Sequence, residues 1–236
     1  MSTKSNPEMS KDIRLLEDLF EYIIPKYLEA HDIMISMLDF PVTEDIRVAD
    51  LGCGFGELSG RLLEMLPTAT VFGLDKEKRI LKRAKEKLGR FGDRFKGLQC
   101  NLNLSAWAAG LSPLNAVVSS FTLDYLTLDR HREIISDIYG ALNHGGRFVS
   151  CEFFIPADEH VSTIFHDLEI RYIQSSLQRG EVTKEQIDLL SQSTILRQKH
   201  HICRVDTKIE WLHSAGFKRI DVPWRFLNLA VVSAVR

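Results

Sequence analysis

The sequence predicts an α/β protein built on a parallel sheet with helices on both faces, and three observations carry that prediction. Short, near-continuous apolar runs alternate with amphipathic helical segments, as strands buried on both faces require. The first run, Val48-Ala-Asp-Leu, leads straight into Gly-Cys-Gly-Phe-Gly56 and then into a helical pattern from Glu57, a strand, glycine turn and helix in sequence. The second run ends on an acid, Asp75, 25 positions after Asp50.

The elements follow in order. Residues 10–38 are helical in pattern and interrupted near Pro25, which cannot donate to a helix ladder. Strands are expected at residues 47–51, 70–75, 95–100, 115–121 and 147–154, with helices at 57–65, across the basic segment after Asp75, and at 130–142. Gly145-Gly146 reads as the turn into the fifth strand. After Pro156 the pattern becomes helical and polar through residue 202. Two last strands, 217–222 and 226–235, are expected to form a hairpin around Pro223-Trp224-Arg225. The reading is one domain over residues 1–236, with a helical cap at 1–45 and a helical insertion or lid at 157–213.

The spacing of the glycines carries chemistry. Gly52, Gly54 and Gly56 are spaced G-x-G-x-G, and Glu57 stands where a dinucleotide fingerprint needs its last glycine. Glycines let backbone approach a ligand closely, because they lack a Cβ and tolerate positive φ. An acid in the first turn of the following helix opposes a phosphate there. An uncharged or cationic nucleoside therefore suits the turn better than a pyrophosphate. An acid at the end of the second strand accepts hydrogen bonds from ribose hydroxyls in doubly wound folds, and Asp75 holds that place.

Composition bounds the function. Hydrophobic residues make up 44% and charged residues 26%, an ordinary balance for a soluble domain. No apolar run reaches the ~20 residues of a membrane span, and residues 1–12 have no signal-peptide character. Cys53, Cys100, Cys151 and Cys203 are scattered without metal-ligand spacing, so no metal is expected and the chain is expected in the cytoplasm. The net charge of −2 is unevenly spread: residues 76–96 carry ten basic and three acidic side chains, +7, against −9 elsewhere. Ile80, Ala84, Leu88 and Phe91 recur there at helical spacing, giving an amphipathic helix with a basic outer face. A solvated face is the simpler reading, and an RNA or acidic-partner surface the alternative.

The glycine turn and the two acids resemble the cofactor site of class I S-adenosylmethionine-dependent methyltransferases. Four further stretches narrow the resemblance: Ile24-Pro25-Lys26-Tyr27, Phe121-Thr122-Leu123-Asp124-Tyr125-Leu126, Asp137-Ile-Tyr-Gly-Ala-Leu-Asn-His-Gly-Gly146 and Phe165-His166-Asp167. Together they are similar to the carboxy-S-adenosylmethionine synthases of tRNA wobble-uridine modification and the small methyltransferases around them, over most of the chain. The resemblance implies a Rossmann-like seven-stranded sheet of order 3-2-1-4-5-7-6, strand 7 antiparallel, with the helical insertion between strands 5 and 6. It implies S-adenosyl-L-methionine as cofactor, with S-adenosyl-L-homocysteine as product. Tyr27 is then near the methionine end, while Asp50, Gly52, Gly54 and Gly56 line its side. Asp75, with Lys76 beside it, meets the ribose. Asn101, in the place of an acid often found near the adenine, and Leu102 border the base. Ser119 and Phe121 border the cofactor at the end of strand 4.

One departure decides between two reactions. The synthases keep an arginine in the insertion that pairs with their product's extra carboxylate, and the alignment puts Ser193 or Thr194 there. A hydroxyl cannot replace a bidentate guanidinium; Arg197 and Arg171 are the candidate substitutes. Methyl transfer to a small-molecule acceptor is therefore the first reading. The carboxylated cofactor or a tRNA-modifying role is the second, and a non-catalytic cofactor-binding partner protein the third. Positioning of the acceptor is the main task, and a base is needed only for a protonated acceptor. Asp124, Tyr125 and His166 are the catalytic candidates, with Glu169, Arg171, His200 and His201 behind them. Each of the first three, and the histidine pair, also has a structural reading: Asp124 as a helix cap, Tyr125 as core, His166 as a lone structural histidine in a helix, and His200-His201 as diverging neighbours on a helix. Ile164, Leu168, Ile170, Ile173 and Leu177 supply an apolar side for a homodimer or for packing on the sheet.

Overall fold

The structure, a computed structural model, describes residues 19–104, 106–192 and 201–236. The described chain divides into two compact units, one drawn from residues 19–29 and 156–192, the other from 30–104, 106–155 and 201–236.

The larger unit is a seven-stranded sheet of order β3-β2-β1-β4-β5-β7-β6. Its strands are β1 (Arg47–Leu51), β2 (Thr70–Asp75), β3 (Phe95–Gln99), β4 (Leu114–Ser120), β5 (Leu142–Phe153), β6 (Lys218–Phe226) and β7 (Leu229–Val235). Strands β1 to β5 pair in parallel, whereas β7 runs antiparallel to both β5 and β6. Order, direction and the antiparallel last strand are those the resemblance implies. Strands β1 to β5 need crossover connections because parallel neighbours cannot be joined by a tight turn.

Among the described residues the α-helices are α1 (Leu19–Ile23), α2 (Tyr27–Ser36), α3 (Glu57–Met65), α4 (Lys78–Lys87), α5 (Leu128–Ala141), α6 (Glu159–Gln178), α7 (Lys184–Gln192) and α8 (Val205–Ala215). One apolar layer joins Leu51, Leu74, Val117 and Phe148 to Ile134, Ile138 and Leu212 of α5 and α8. The opposite layer joins Val48, Val71, Val118 and Val149 to Met34, Leu58, Leu62 and Ala84 of α2, α3 and α4. Alternate residues of β1 serve opposite layers, as the two-residue period of a strand dictates. Burial on both faces explains why these strands read as continuous apolar runs.

In the smaller unit, Asp158 caps α6 by accepting from the backbone N–H groups of His160 and Val161. Thr183 and Gln186 form a reciprocal capping pair before α7, each backbone N–H donating to the other's side-chain oxygen. The Ser176 hydroxyl donates to the Tyr22 carbonyl at 2.9 Å, joining α6 to α1.

Four details depart from the sequence reading. The last hairpin turns at Leu227 and Asn228, and Pro223-Trp224-Arg225 lies inside β6. Strand β6 is an edge strand whose register shifts around Pro223, so a residue without an N–H is tolerated there. Gly145-Gly146 is not a separate turn but an irregularity within the longer β5, where the Gly145 N–H donates to the Arg236 carbonyl. Helix α5 is capped by the Thr127 hydroxyl, which accepts from the Arg130 N–H, and not by Asp124. His201 is in an extended segment before α8 rather than on a helix. His200, Ser193, Thr194 and Arg197 lie outside the described residues.

Candidate cofactor site at the sheet's switch point

The order of the sheet reverses between β1 and β4, which are neighbours although β2 and β3 intervene in sequence. Their crossovers leave toward opposite faces, opening a crevice beyond the carboxyl ends of the strands where doubly wound folds bind ligands. The loops that leave β1, β2 and β4 meet there.

The glycine turn is fixed from both sides. Gly52, Gly54 and Gly56 have φ of 70°, 53° and 84°, a region that residues with a Cβ avoid. The N–H groups of Gly52 and Cys53 both donate to the Leu74 carbonyl, at 2.7 and 2.9 Å, anchoring the turn on β2. From the β4 side, the Thr122 hydroxyl donates to the carbonyls of Ser120 and Gly52 at 3.0 and 3.3 Å. A Cβ on Gly52 would lie 2.2 Å from Thr122 Cγ2, whereas one on Gly54 would meet nothing within 4 Å. Gly52 is therefore required by the protein's own packing, and Gly54 keeps open space bare.

Asp75 joins β2 to this turn. One carboxylate oxygen accepts the Gly54 N–H at 3.1 Å and the other the Glu77 N–H at 2.8 Å. A carboxylate offers about four lone-pair sites, so acceptor capacity remains for a further donor. Burial raises its carboxyl from the usual range, partly opposed by those two hydrogen bonds. Asp50 is more deeply set, 1% exposed, and accepts the Ser59 hydroxyl at 2.6 Å, binding α3 to β1. Burial pushes its carboxyl up to about 7. Glu57 points away to an ion pair with Lys87 of α4 at 2.9 Å. Lys76 is exposed, and its carbonyl accepts from the Gln99 side chain.

Asn101 and Leu102 follow β3. The Asn101 side-chain oxygen accepts from the backbone and the side-chain amide of Asn103, at 3.0 and 3.1 Å, and Leu102 is buried. Ser119 is fully buried and donates to the Leu51 carbonyl, tying β4 to β1. Phe121 has a φ of 52°, an outlier for a bulky residue. It is held there by its N–H bond to the Cys151 carbonyl, and its ring is 5.5 Å from that of Phe153. Leu123–Tyr125 form one 3₁₀ turn. Asp124 is 1% exposed and its carbonyl accepts the His201 N–H at 2.6 Å. Burial and then Asp124 raise the Tyr125 hydroxyl well above its ordinary range, so it stays protonated and is a poor base. Tyr27 and His166 belong to the smaller unit, Tyr27 half-buried at the start of α2 and His166 exposed on α6.

Residues 48–146, which hold the glycine turn, Asp75 and the β4-end residues of this crevice, match the family described as a methyltransferase domain. That stretch of the chain is similar to a methyltransferase domain. Along most of its length, the chain is similar to the carboxy-S-adenosyl-L-methionine synthase of Nautilia profundicola, 23% identical over 94% of the chain and 91% of that protein. The enzyme of the same name from Desulforapulum autotrophicum is 28% identical over 94% of the chain and 87% of that protein. Among solved structures, the magnesium protoporphyrin IX methyltransferase of Synechocystis PCC 6803, with bound SAH, covers all of the chain and 90% of its own at a TM-score of 0.59 and 18% identity. The chain spans about half, 55%, of another solved relative in fold, the S-adenosylmethionine-dependent methyltransferase SibL. These structures share the S-adenosylmethionine-dependent methyltransferase fold with the chain.

Sequence reasoning found the glycine turn and both acids but missed Thr122, Arg130, Glu152 and Lys208. Lys208 is fully buried and bonds Ser150 Oγ at 2.8 Å and the Glu152 carboxylate, with His131 Nε2 3.5 Å from the other Glu152 oxygen. The one signal was a pair of polar residues, Ser150 and Glu152, on the same face of the apolar half of β5, Phe148 to Phe153.

Proposed function

We propose that this chain uses S-adenosylmethionine to methylate a small-molecule acceptor, with the cofactor held at the β1/β4 crevice. The observation that carries the reading is the pairing of the Asp75 carboxylate with the Gly54 N–H, beside a glycine whose missing Cβ leaves open space. A ribose with two hydroxyls fits a carboxylate with acceptor capacity to spare, and the bare turn at Gly54 suits close approach by the methionine part. Nothing in the turn supplies a basic side chain for a pyrophosphate, and Glu57 adds an acid at the start of α3. Gly52, Gly56 and Asp50 shape the turn. Asn101 and Leu102 flank the base, Lys76 stands beside the ribose acid, and Ser119 and Phe121 close the β4 side.

S-adenosylmethionine supplies a methyl group already activated on its sulfonium. The chain's task is then to hold an acceptor in line and keep water away. Phe121, Phe153 and the turn of Asp124 and Tyr125 form the wall available for this in the larger unit. Tyr125 serves there as a neutral hydroxyl donor. The resemblance-based roles of Tyr27 and His166 belong to the same proposal, tested by the cofactor affinity of Tyr27→Phe and the turnover of His166→Ala.

A second reading is synthesis of carboxy-S-adenosylmethionine, favoured by relatives of that name that align with more than nine-tenths of the chain. The hydroxyl residues expected in place of its carboxylate-binding arginine keep it second. A cytoplasmic setting and a homodimer through the apolar side of α6, where Ile164, Leu168 and Ile170 are 40–43% exposed, complete the proposal; light scattering tests the dimer. Among the described residues no helix is long and apolar enough to cross a membrane. Mass spectrometry of small molecules released on denaturing the purified protein tests the reading. S-adenosylmethionine or S-adenosylhomocysteine supports methyl transfer, and the carboxylated cofactor replaces it with the second reading.

A further inference from the structure

We infer that Arg130 is a positioning residue that presets the adenine side of the cofactor crevice, an inference that rests on the proposed S-adenosylmethionine site. Arg130 sits in the first turn of α5, on the helix that follows β4, yet its guanidinium reaches across to the turn that leaves β3. Its Nε donates to the Leu102 carbonyl at 2.9 Å and Nη2 to the Leu104 carbonyl at 3.1 Å. The same guanidinium is held from behind by Asp137 at 2.7 Å and Glu133 at 3.2 Å. Arg130 is 8% exposed, so these bonds are made largely out of water.

Among the described residues, few other hydrogen bonds fix the turn it holds. Asn101, Asn103 and Leu104 are exposed, Leu104 at 63%, and only Leu102 is buried in the layer below. Within the turn, the Leu104 N–H donates to the Asn101 carbonyl and the Asn101 side chain accepts from Asn103. Those local bonds close the turn but do not orient it against the sheet. Orientation comes from the β3 end, where the Cys100 N–H donates to the Asp75 carbonyl at 2.9 Å, and from Arg130. Residues 100–104 thus hang between the ribose acid and one guanidinium. A planar fork with fixed donor directions holds two carbonyls in one fixed geometry, which an ammonium with freely rotating donors on a flexible stem does less rigidly. Asp137 and Glu133 are spent on that fork, which keeps the charge paired while the carbonyls stay fixed.

The test compares S-adenosylhomocysteine with S-inosylhomocysteine, which differs from it only in the base, in calorimetric titrations of wild type, Arg130→Lys, Arg130→Met and Asp137→Asn. Binding of the adenine form by wild type is the condition set by the proposed function. If wild type binds neither compound, the cofactor reading itself falls. With that condition met, the inference expects Arg130→Met to lose roughly tenfold or more in affinity for S-adenosylhomocysteine. It also expects the preference for adenine over hypoxanthine to shrink, Arg130→Lys to fail to rescue, and Asp137→Asn to show a smaller loss in the same direction. A loss of thermal stability with unchanged affinity, or an equal loss for both compounds, overturns the inference and leaves the cofactor reading standing. Should Arg130→Met not fold, Asp137→Asn and Arg130→Lys decide by the same ratio.

Discussion

A Cβ on Gly52 would lie 2.2 Å from Cγ2 and 2.3 Å from Oγ1 of Thr122. The first glycine of the turn is therefore matched to a threonine 70 positions later, at the end of the neighbouring strand, and the two loops lock across the switch point. Gly54, two positions on, has the same left-handed backbone with nothing beside it.

These two glycines are expected to fail differently. Gly52→Ala combines left-handed strain with a clash against Thr122 and should cost about 3 kcal/mol in urea denaturation. Gly54→Ala should cost only about 1–2 kcal/mol, the strain alone, and should lose cofactor affinity out of proportion to that. Equal stability losses at the two sites would contradict the assignment.

The buried Lys208–Glu152 pair predicts a second contrast. Burial alone would raise the Glu152 carboxyl, but Lys208 and then His131 hold it below its usual range. Lys208→Met leaves that carboxylate without its partner and should cost about 3–5 kcal/mol. Lys208→Met combined with Glu152→Leu should recover most of the loss. A double variant as unstable as the single one would show that the pair is not acting as a unit.

Acid sensitivity follows from three buried groups with opposing signs. Burial lowers His31 to about 3 and His131 to about 4. Above those values the unfolded chain binds protons that the native state does not, so each histidine makes stability fall as pH drops below about 6.5. Asp50, raised to about 7, is protonated natively where the unfolded acid is ionised, so it makes stability rise as pH drops from about 7 towards 4. Asp50→Asn should therefore steepen the loss of stability between pH 6 and pH 5 by about 1.4 kcal/mol per pH unit. His31→Gln should make it shallower by a similar amount. Urea titrations at the two pH values measure both; slopes equal to wild type in both variants would contradict the burial argument.

What the sequence disclosed and what it hid divide along one physical line. Strands β1 and β2 and helix α3 stood at their expected residues, because double burial, a glycine turn and a clear helical period are local signals. The order of the sheet came from the family resemblance, not from periodicity. Thr122, Arg130 and Lys208 were missed because their roles exist only across the fold: Arg130 looks like any helix-surface arginine until α5 is packed beside the turn after β3. The last hairpin was misplaced because Pro223 reads as a turn residue locally, while an edge strand accepts it.

In the proposed site, Asp75 and the glycine turn hold the nucleoside of S-adenosylmethionine. Calorimetric titration of wild type and Asp75→Ala with S-adenosylhomocysteine tests it most directly, alongside a check that both unfold at similar urea concentrations. One site is expected in wild type and an affinity loss of about tenfold or more in the variant, as for removing the charged acceptor of a ribose hydrogen bond. Equal affinity in the two proteins, or no binding by a folded wild type, would contradict it.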